Sequence, residues 1–221
     1  MKRLFSLVGA VSVVLALSAC SMSYESSSVE PPPPVDTQDS ENTLDMLQQA
    51  NEIVLQKAAV SFNDSYLVTA DEVELGKIQG QYVYLLGDTF SFFTKNGNLV
   101  ASEGEDYKFI THGATFFNYN NERTGGIKER FSMFLRNWDI VDVEGNVLGE
   151  ANQRLGFTMS YDVKNATGDV EYTITKSIFS IGSKIAITRV SNEPRIDPMT
   201  AIWIAAVGNE LDEADEENDN E

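Results

Sequence analysis

Residues 199–207, MTAIWIAAV, are apolar all round a helix except for Thr200. A helix that is apolar on every side must be enclosed by the rest of the protein. This run is only about 14 Å long at 1.5 Å per residue, too short for a bilayer core of about 30 Å. Asp197 suits the N-cap and Pro198 the first helical position. The sequence therefore predicts a core helix over 198–209 whose enclosed side chains include Ile202, Trp203, Ile204 and Val207.

Residues 66–190, by contrast, alternate like β-strands. In FTMSYDV (157–163) the apolar side chains fall on one face and the polar ones on the other, and VEYTIT (170–175) repeats the pattern. Short turn sequences separate such runs, which indicates an antiparallel meander that forms a sandwich or a barrel. The enclosed helix favours a closed barrel. We predict a mainly β domain over 61–209; its turns are KNGN (95–98), NERTGG (121–126), EGN (144–146) and KNATGD (164–169).

The N-terminus carries the pattern of a bacterial lipoprotein signal. Lys2 and Arg3 precede an apolar stretch, 4–17, and the motif Leu17-Ser18-Ala19-Cys20 matches a lipobox. The prediction is a signal peptide over 1–19 and a lipidated, palmitate-bearing Cys20. The alternatives are an ordinary secretory signal with a chance cysteine or an uncleaved anchor helix. Because Cys20 is the only cysteine, the mature domain would have no disulfide, thiol nucleophile or thiolate metal site.

This motif also predicts where the chain resides. By similarity to Gram-negative lipoproteins, Ser21 in place of an aspartate favours the outer membrane, with the domain facing the periplasm. Residues 20–42 are rich in Ser, Pro and acids, so we predict a disordered tether, with a Pro-rich recognition motif as the alternative. The expected partners are the membrane, through the acyl anchor, and an envelope protein or lipid.

Two further segments flank the predicted barrel. Leu44, Leu47, Val54 and Ala58 recur at helical spacing, which predicts one amphipathic helix over about 43–58, assigned to a segment 43–60, that packs on the domain. A membrane-surface helix is the alternative, although its polar face lacks the basic residues that anionic lipid requires. Residues 210–221 carry eight acids and no base, and we predict a disordered acidic tail, with a loose divalent-cation site as the alternative.

Four stretches of the chain carry a resemblance to a known family: GDTFSFFTKNGNLV (87–100), RFSMFLRNWDIVDVEGNVLGEA (130–151), TITKSIFSIGSKIAITR (173–189) and DPMTAIWIAAVGNELDEAD (197–215). Together they resemble the LURP-one-related family of the tubby C-terminal and phospholipid scramblase superfamily. The resemblance implies a twelve-stranded barrel around one hydrophobic C-terminal helix. Tubby domains bind phosphoinositides through a basic pocket, whereas this chain has a net charge of −18 and no cluster of Lys or Arg, which disfavours phosphoinositide and nucleic-acid binding.

The sequence contains no recognisable catalytic motif. His112 is the only histidine, and neither a P-loop, a GxGxxG nor an HExxH motif is present. We therefore predict no catalytic residue, no metal ligand and no cofactor. A carboxylate pair remains open among acids that share no spacing: Asp88, Asp106, Asp139, Asp142 and Asp162.

These observations favour a non-enzymatic, lipid-anchored envelope protein whose barrel binds a protein partner or a lipid. Because the helix fills the lumen, a ligand would bind at an outer groove or at the rim. The aromatic stretches TFSFF (89–93) and ATFFNYN (114–120) are candidate surfaces. The alternatives are a scramblase-like lipid-handling protein, which predicts an exposed apolar groove, and a hydrolase with an unrecognised carboxylate pair.

Overall fold

A computed structural model describes residues 36–57, 65–83, 87–105, 113–130, 132, 135–155, 159–177 and 183–218. These residues form twelve strands and two helices. The bounds are α1 Thr37–Gln49, β1 Glu52–Lys57, β2 Ser65–Ala70, β3 Val73–Val83, β4 Gly87–Thr94, β5 Leu99–Glu105, β6 Gly113–Asn118, β7 Arg123–Arg130, β8 Asn137–Val141, β9 Val147–Gln153, β10 Ser160–Asn165, β11 Val170–Ser177, β12 Lys184–Arg189 and α2 Pro198–Asn218.

The strands form one closed antiparallel barrel. Each strand pairs with its sequence neighbours, and β1 pairs with β12 to close the ring, with Ile53 opposite Ile187. Closure leaves no strand edge unpaired. The predicted fold class, a closed antiparallel β-barrel with a C-terminal and an N-terminal helix, is confirmed.

Strand alternation directs apolar side chains into the barrel. In β10, Tyr161 and Val163 are fully buried while Ser160 and Asp162 are half-buried. The turns at 95–98, 144–146 and 164–169 each join two paired strands. The stretch 121–126 spans the end of the β6–β7 turn and the start of β7.

Helix α2 fills the interior. Residues 201–207 are at most 4% exposed. Their neighbours come from widely separated strands: the Trp203 ring lies 6.4 Å from that of Phe116 in β6, and the Nδ2 atom of Asn209 donates to the Tyr66 hydroxyl in β2 at 2.9 Å. Contacts from such different parts of the ring require the helix to lie inside it, and full burial of each large apolar side chain stabilises the fold by roughly 1.5–3 kcal/mol.

The predicted helix over 43–58 is wrong in its bounds. Helix α1 begins at Thr37, with Asp36 as its N-cap, and ends at Gln49. Residues 52–57, predicted to be helical, form strand β1, so the barrel begins before residue 61. The cause is a tertiary contact: the Asp71 carboxylate accepts the backbone N–H groups of Asn51 and Glu52 and fixes the turn between helix and strand.

Two stretches predicted to be disordered are ordered where the structure describes them. Residues 37–42 of the expected tether belong to α1, and Ser40 there is fully buried. Residues 210–218 of the expected tail continue α2 beyond residue 209. One acid of this extension, Glu213, forms ion pairs with both Lys57 and Lys176.

Candidate functional site

A cavity of about 150 Å³ lies beside the N-terminal end of α2. We call it the mouth cavity. Asp197 and Thr124 in its lining are exposed to solvent, so the polar side of the cavity forms its opening. The inner walls are mainly apolar. The lining residues are Leu44, Val100, Ala101, Phe116, Phe117, Asn118, Thr124, Asp197, Met199, Thr200 and Trp203.

Two β-bulges shape the strand side of the mouth cavity. The pairing of β4 with β5 shifts between Phe92 and Phe93, and both Val100 and Ala101 are consequently buried. A second shift, between Phe116 and Phe117 in the pairing of β6 with β7, leaves Thr124 of β7 without an opposite residue, and Thr124 lines the cavity. Bulges bend a strand and redirect its side chains. The cavity therefore lies where two bulged strands, β5 and β7, flank β6.

Helix α1 supplies the wall that carries Leu44. The Ser40 hydroxyl donates to the Leu99 carbonyl at 2.7 Å, and the Asp39 carboxylate accepts from Thr94, from the Asn98 amide at 2.9 Å and from the Asn96 amide at 3.2 Å. The hydrogen bond from Thr94, followed by that from Asn98, lowers the pKa of Asp39. The β4–β5 turn thus holds α1 through side-chain contacts.

The start of α2 is positioned by a buried carboxylate. Glu171 is 1% exposed and accepts the backbone N–H groups of Arg195 at 2.8 Å and Ile196 at 2.7 Å, together with the Asn165 amide at 2.9 Å. These bonds fix the segment that leads into the helix. They therefore determine where Asp197 lies relative to the cavity.

Asp197 caps α2, the place that the sequence analysis predicted for it. Its Oδ1 atom accepts the Met199 N–H at 2.8 Å, and its carbonyl accepts the Thr200 N–H at 2.9 Å. Desolvation by the surrounding protein raises the pKa of Asp197, and the Met199 hydrogen bond opposes that rise. The residue nevertheless keeps contact with solvent at the cavity mouth.

The other predicted core-helix residues have a packing role. Pro198 is buried, as are Ile202, Ile204 and Val207, the last at 4% exposure. Trp203 is buried too, and it lines the mouth cavity together with Met199.

Of the two aromatic candidate surfaces, one belongs to the cavity. Phe116, Phe117 and Asn118 of the stretch 114–120 line it. In the stretch 89–93, Phe90 and Phe92 are buried core side chains. The sequence alone carries no signal that the consecutive residues Phe116 and Phe117 would both line one cavity.

The lipidation residues Leu17, Ser18, Ala19 and Cys20 lie outside the described residues, and the lipobox remains a prediction. His112 and Asp106 also lie outside them. No helix within the described ranges combines the length and the apolar character needed to cross a membrane.

Three candidate acids of the carboxylate-pair hypothesis have separate contacts. Asp139 pairs with Arg130 at 3.2 Å, and Asp162 pairs with Arg154. The Asp142 carboxylate accepts from the backbone and side-chain amides of Asn146, and the side-chain hydrogen bond chiefly lowers its pKa. Among the described residues, no group of three or more metal-ligating side chains converges on one point.

Large exposed apolar side chains are spread over the described part of the barrel. The one local concentration among them is Val143, Val147 and Leu148 at the β8–β9 turn. Met46, Leu67 and Val73 lie on other elements, whereas Leu155 and Val190 lie in the connections after β9 and β12.

Comparison with known proteins finds no family model, no curated protein and no solved structure that matches this chain.

Proposed function

We propose that this chain is a non-enzymatic, lipid-anchored protein of the bacterial cell envelope whose barrel binds an apolar group of a lipid or of a partner protein in the mouth cavity. One observation carries the binding part of the proposal: α2 fills the lumen, while an apolar cavity of about 150 Å³ remains open beside its first turn. Apolar pockets with a few polar groups at the edge are the usual form of ligand sites.

The size of the mouth cavity limits what it holds. Apolar cavities of about 150 Å³ accept a molecule the size of benzene. The cavity would therefore take the end of an acyl chain or a single apolar side chain, rather than a whole lipid. Recognition of the remainder of the ligand would fall to the exposed rim.

Membership of the LURP-one-related family is part of the same proposal. The four quoted stretches support it, as does the agreement between the implied architecture and the observed one: twelve strands around a C-terminal apolar helix. We carry over the fold from that family and none of its activities.

The anchor is tested with Cys20→Ser. The wild-type chain should incorporate a palmitate analogue and fractionate with the outer membrane. The variant should do neither, since its hydroxyl is not a substrate for thiol lipidation. A wild-type chain that fractionates with membranes in unprocessed form, without the palmitate analogue, would indicate an uncleaved anchor helix.

The ligand site is tested by native mass spectrometry of the full chain with Cys20→Ser, purified from cells without detergent. We expect a retained small molecule or lipid. Ala101→Leu, which fills the mouth cavity, should release it. The matched control is Ala186→Leu, at a half-buried position of β12 between two core residues, and it should retain the ligand. A bare protein in all three samples contradicts a tightly held lipid.

A further inference from the structure

We propose that the mouth cavity is specific for an apolar chain or ring that carries a cationic ammonium head, with the head at Asp197. This inference rests on the proposed function, because it names the ligand chemistry of the same cavity. It is carried by the combination of an apolar interior and a single carboxylate at the opening.

The interior suits the apolar part of such a ligand. Leu44 from α1, Val100 from β5 and Met199 from α2 contribute aliphatic or thioether side chains from three different elements. Val100 is fully buried, so the cavity reaches into the core. Burying about six carbon atoms there removes apolar surface from water, which stabilises the complex by roughly 25 cal/mol for each Å² buried.

The opening carries negative charge. Asp197 is the only ionisable residue among the described residues that line the cavity. Its Oδ1 atom accepts the Met199 N–H, and the structure gives its Oδ2 atom no hydrogen bond within the described part of the chain. An ammonium group at the mouth would form an ion pair with this carboxylate, whereas an anionic head would be repelled.

The residues around the opening reinforce the sign of this charge. Glu122 accepts the amide of the lining residue Asn118 at 2.9 Å, and Glu41 accepts the Tyr119 hydroxyl at 2.9 Å. That hydrogen bond to Glu41 and the charges of both glutamates raise the pKa of Tyr119. Arg123, next to the lining residue Thr124, lies exposed to solvent. The chain as a whole has a net charge of −18, which also attracts cations.

Aromatic side chains add a second attraction for a cation. The Phe116 and Trp203 rings both line the cavity, with centroids 6.4 Å apart and planes inclined by 35°. Ring faces attract ammonium groups, and Trp does so most strongly. An alcohol of the same length would gain neither this interaction nor the one with Asp197.

The test uses three probes of equal chain length: n-hexylammonium, hexan-1-ol and hexanoate. Each is titrated into the full chain with Cys20→Ser in an amine-free buffer of low ionic strength, and the indole N–H resonance of Trp203 reports occupancy. We expect hexylammonium to bind about fivefold more tightly than hexan-1-ol, as for one partly exposed ion pair. Hexanoate should be the weakest, and salt should reduce the difference.

Asp197→Asn is the decisive variant, because asparagine still caps a helix and accepts the Met199 N–H but carries no charge. Hexylammonium and hexan-1-ol should then bind within about twofold of each other. The matched control is Asp36→Asn, which makes the same change at the N-cap of α1. It should keep the fivefold preference.

The outcomes separate the two proposals. Equal binding of all three probes to the unsubstituted cavity would overturn the cationic specificity and leave apolar binding in place. No shift of the Trp203 indole with any probe would overturn both. An equal loss of preference in the Asp36 and Asp197 variants would show a general charge effect, and it would also overturn the inference.

Discussion

At the scale of single residues, the close approach of neighbouring backbones restricts which residue a position can accept more strictly than side-chain chemistry does. A Cβ atom added at Gly149 would lie 2.1 Å from the Lys164 carbonyl oxygen, whereas one added at Gly104 would meet nothing nearer than a Phe117 ring carbon at 4.0 Å. Real Cβ atoms do not approach a carbonyl oxygen to 2.1 Å. The β9–β10 pairing therefore requires glycine at position 149.

Gly149→Ala should accordingly destabilise the barrel. The strands must separate to accommodate the methyl group, at a cost of about 1–3 kcal/mol or more in the free energy of unfolding. Gly104→Ala should be neutral or slightly stabilising, since alanine restricts the unfolded chain. Urea denaturation of both variants measures the difference, and equal stabilities would contradict the packing described for β9.

Tyr172 makes the stability sensitive to alkaline pH. Burial chiefly raises the pKa of Tyr172 to about 12, from an ordinary value of 10.0. The folded state favours the neutral phenol. The contribution of Tyr172 to the free energy of unfolding is therefore complete below pH 10 and is lost as the pH rises through 12. Its hydroxyl donates to the Ile196 carbonyl at 3.2 Å.

Tyr172→Phe keeps the ring and removes the group that ionises. The free energy of unfolding of this variant should be about 1 kcal/mol lower at neutral pH, because one hydrogen bond is lost. It should also decline less than that of the wild type between pH 10 and 12. Chemical unfolding at pH 8, 10 and 11.5 measures both effects. An identical alkaline decline in the wild type and the variant would assign it to other groups.

At the scale of elements, α1 is held to the barrel by polar contacts as well as by its apolar residues. Leu47 is fully buried, yet the helix also depends on the three side-chain donors that surround Asp39. These donors lower the pKa of Asp39. Their contribution to stability is therefore present above the ordinary pKa of 3.8 and is lost as the pH falls through the lowered pKa.

Asp39→Asn should loosen α1, because an amide cannot accept from three donors as a carboxylate does. We expect the amides of α1 to exchange with solvent at least about fivefold faster, for a loss of about 1–3 kcal/mol in the stability of the helix against local opening. Asp45→Asn, on the exposed face of the same helix, should leave exchange unchanged. If the α1 amides are equally protected from exchange in both variants, apolar packing alone holds α1.

The same helix shows which elements the sequence could predict. The wholly apolar run of α2 and the alternation in β10 follow from local patterns, and both were predicted. The boundary between α1 and β1 was not, because Leu44, Leu47 and Val54 happen to fit a helical spacing across the break at Ala50–Asn51. The contact that creates the break, from Asp71, lies about twenty residues away.

Composition gave a wrong prediction of disorder for residues 37–42 and 210–218, also because the contacts that order them lie far away in the sequence. Ser- and acid-rich sequence lacks apolar surface to bury, and it is ordered only where specific partners exist. Asp39 finds them in the β4–β5 turn, and Glu213 finds them in two lysines. The mouth cavity could not be predicted either, since it depends on two register shifts, in the β4–β5 and β6–β7 pairings, and on Leu44 of a displaced helix.

At the scale of the whole molecule, the barrel and α2 form one core. Ile204→Ala should therefore lower the free energy of unfolding by about 2–5 kcal/mol, through lost burial and a cavity inside the ring. Leu155→Ala removes the same number of carbon atoms from a side chain that is 86% exposed, and it should change stability by about 0.5 kcal/mol or less. Thermal and urea denaturation measure both variants. A small effect of Ile204→Ala would contradict the enclosure of α2.

We conclude that α2 fills the lumen and that an apolar space for a ligand lies at the mouth of the barrel. Diffraction from a crystal of the protein under xenon pressure tests this directly, because xenon enters dry apolar cavities. We expect a xenon atom between Leu44, Phe116 and Trp203 and none between Ile202 or Val207 and the strands. Xenon within the lumen, or none at the mouth, would contradict it.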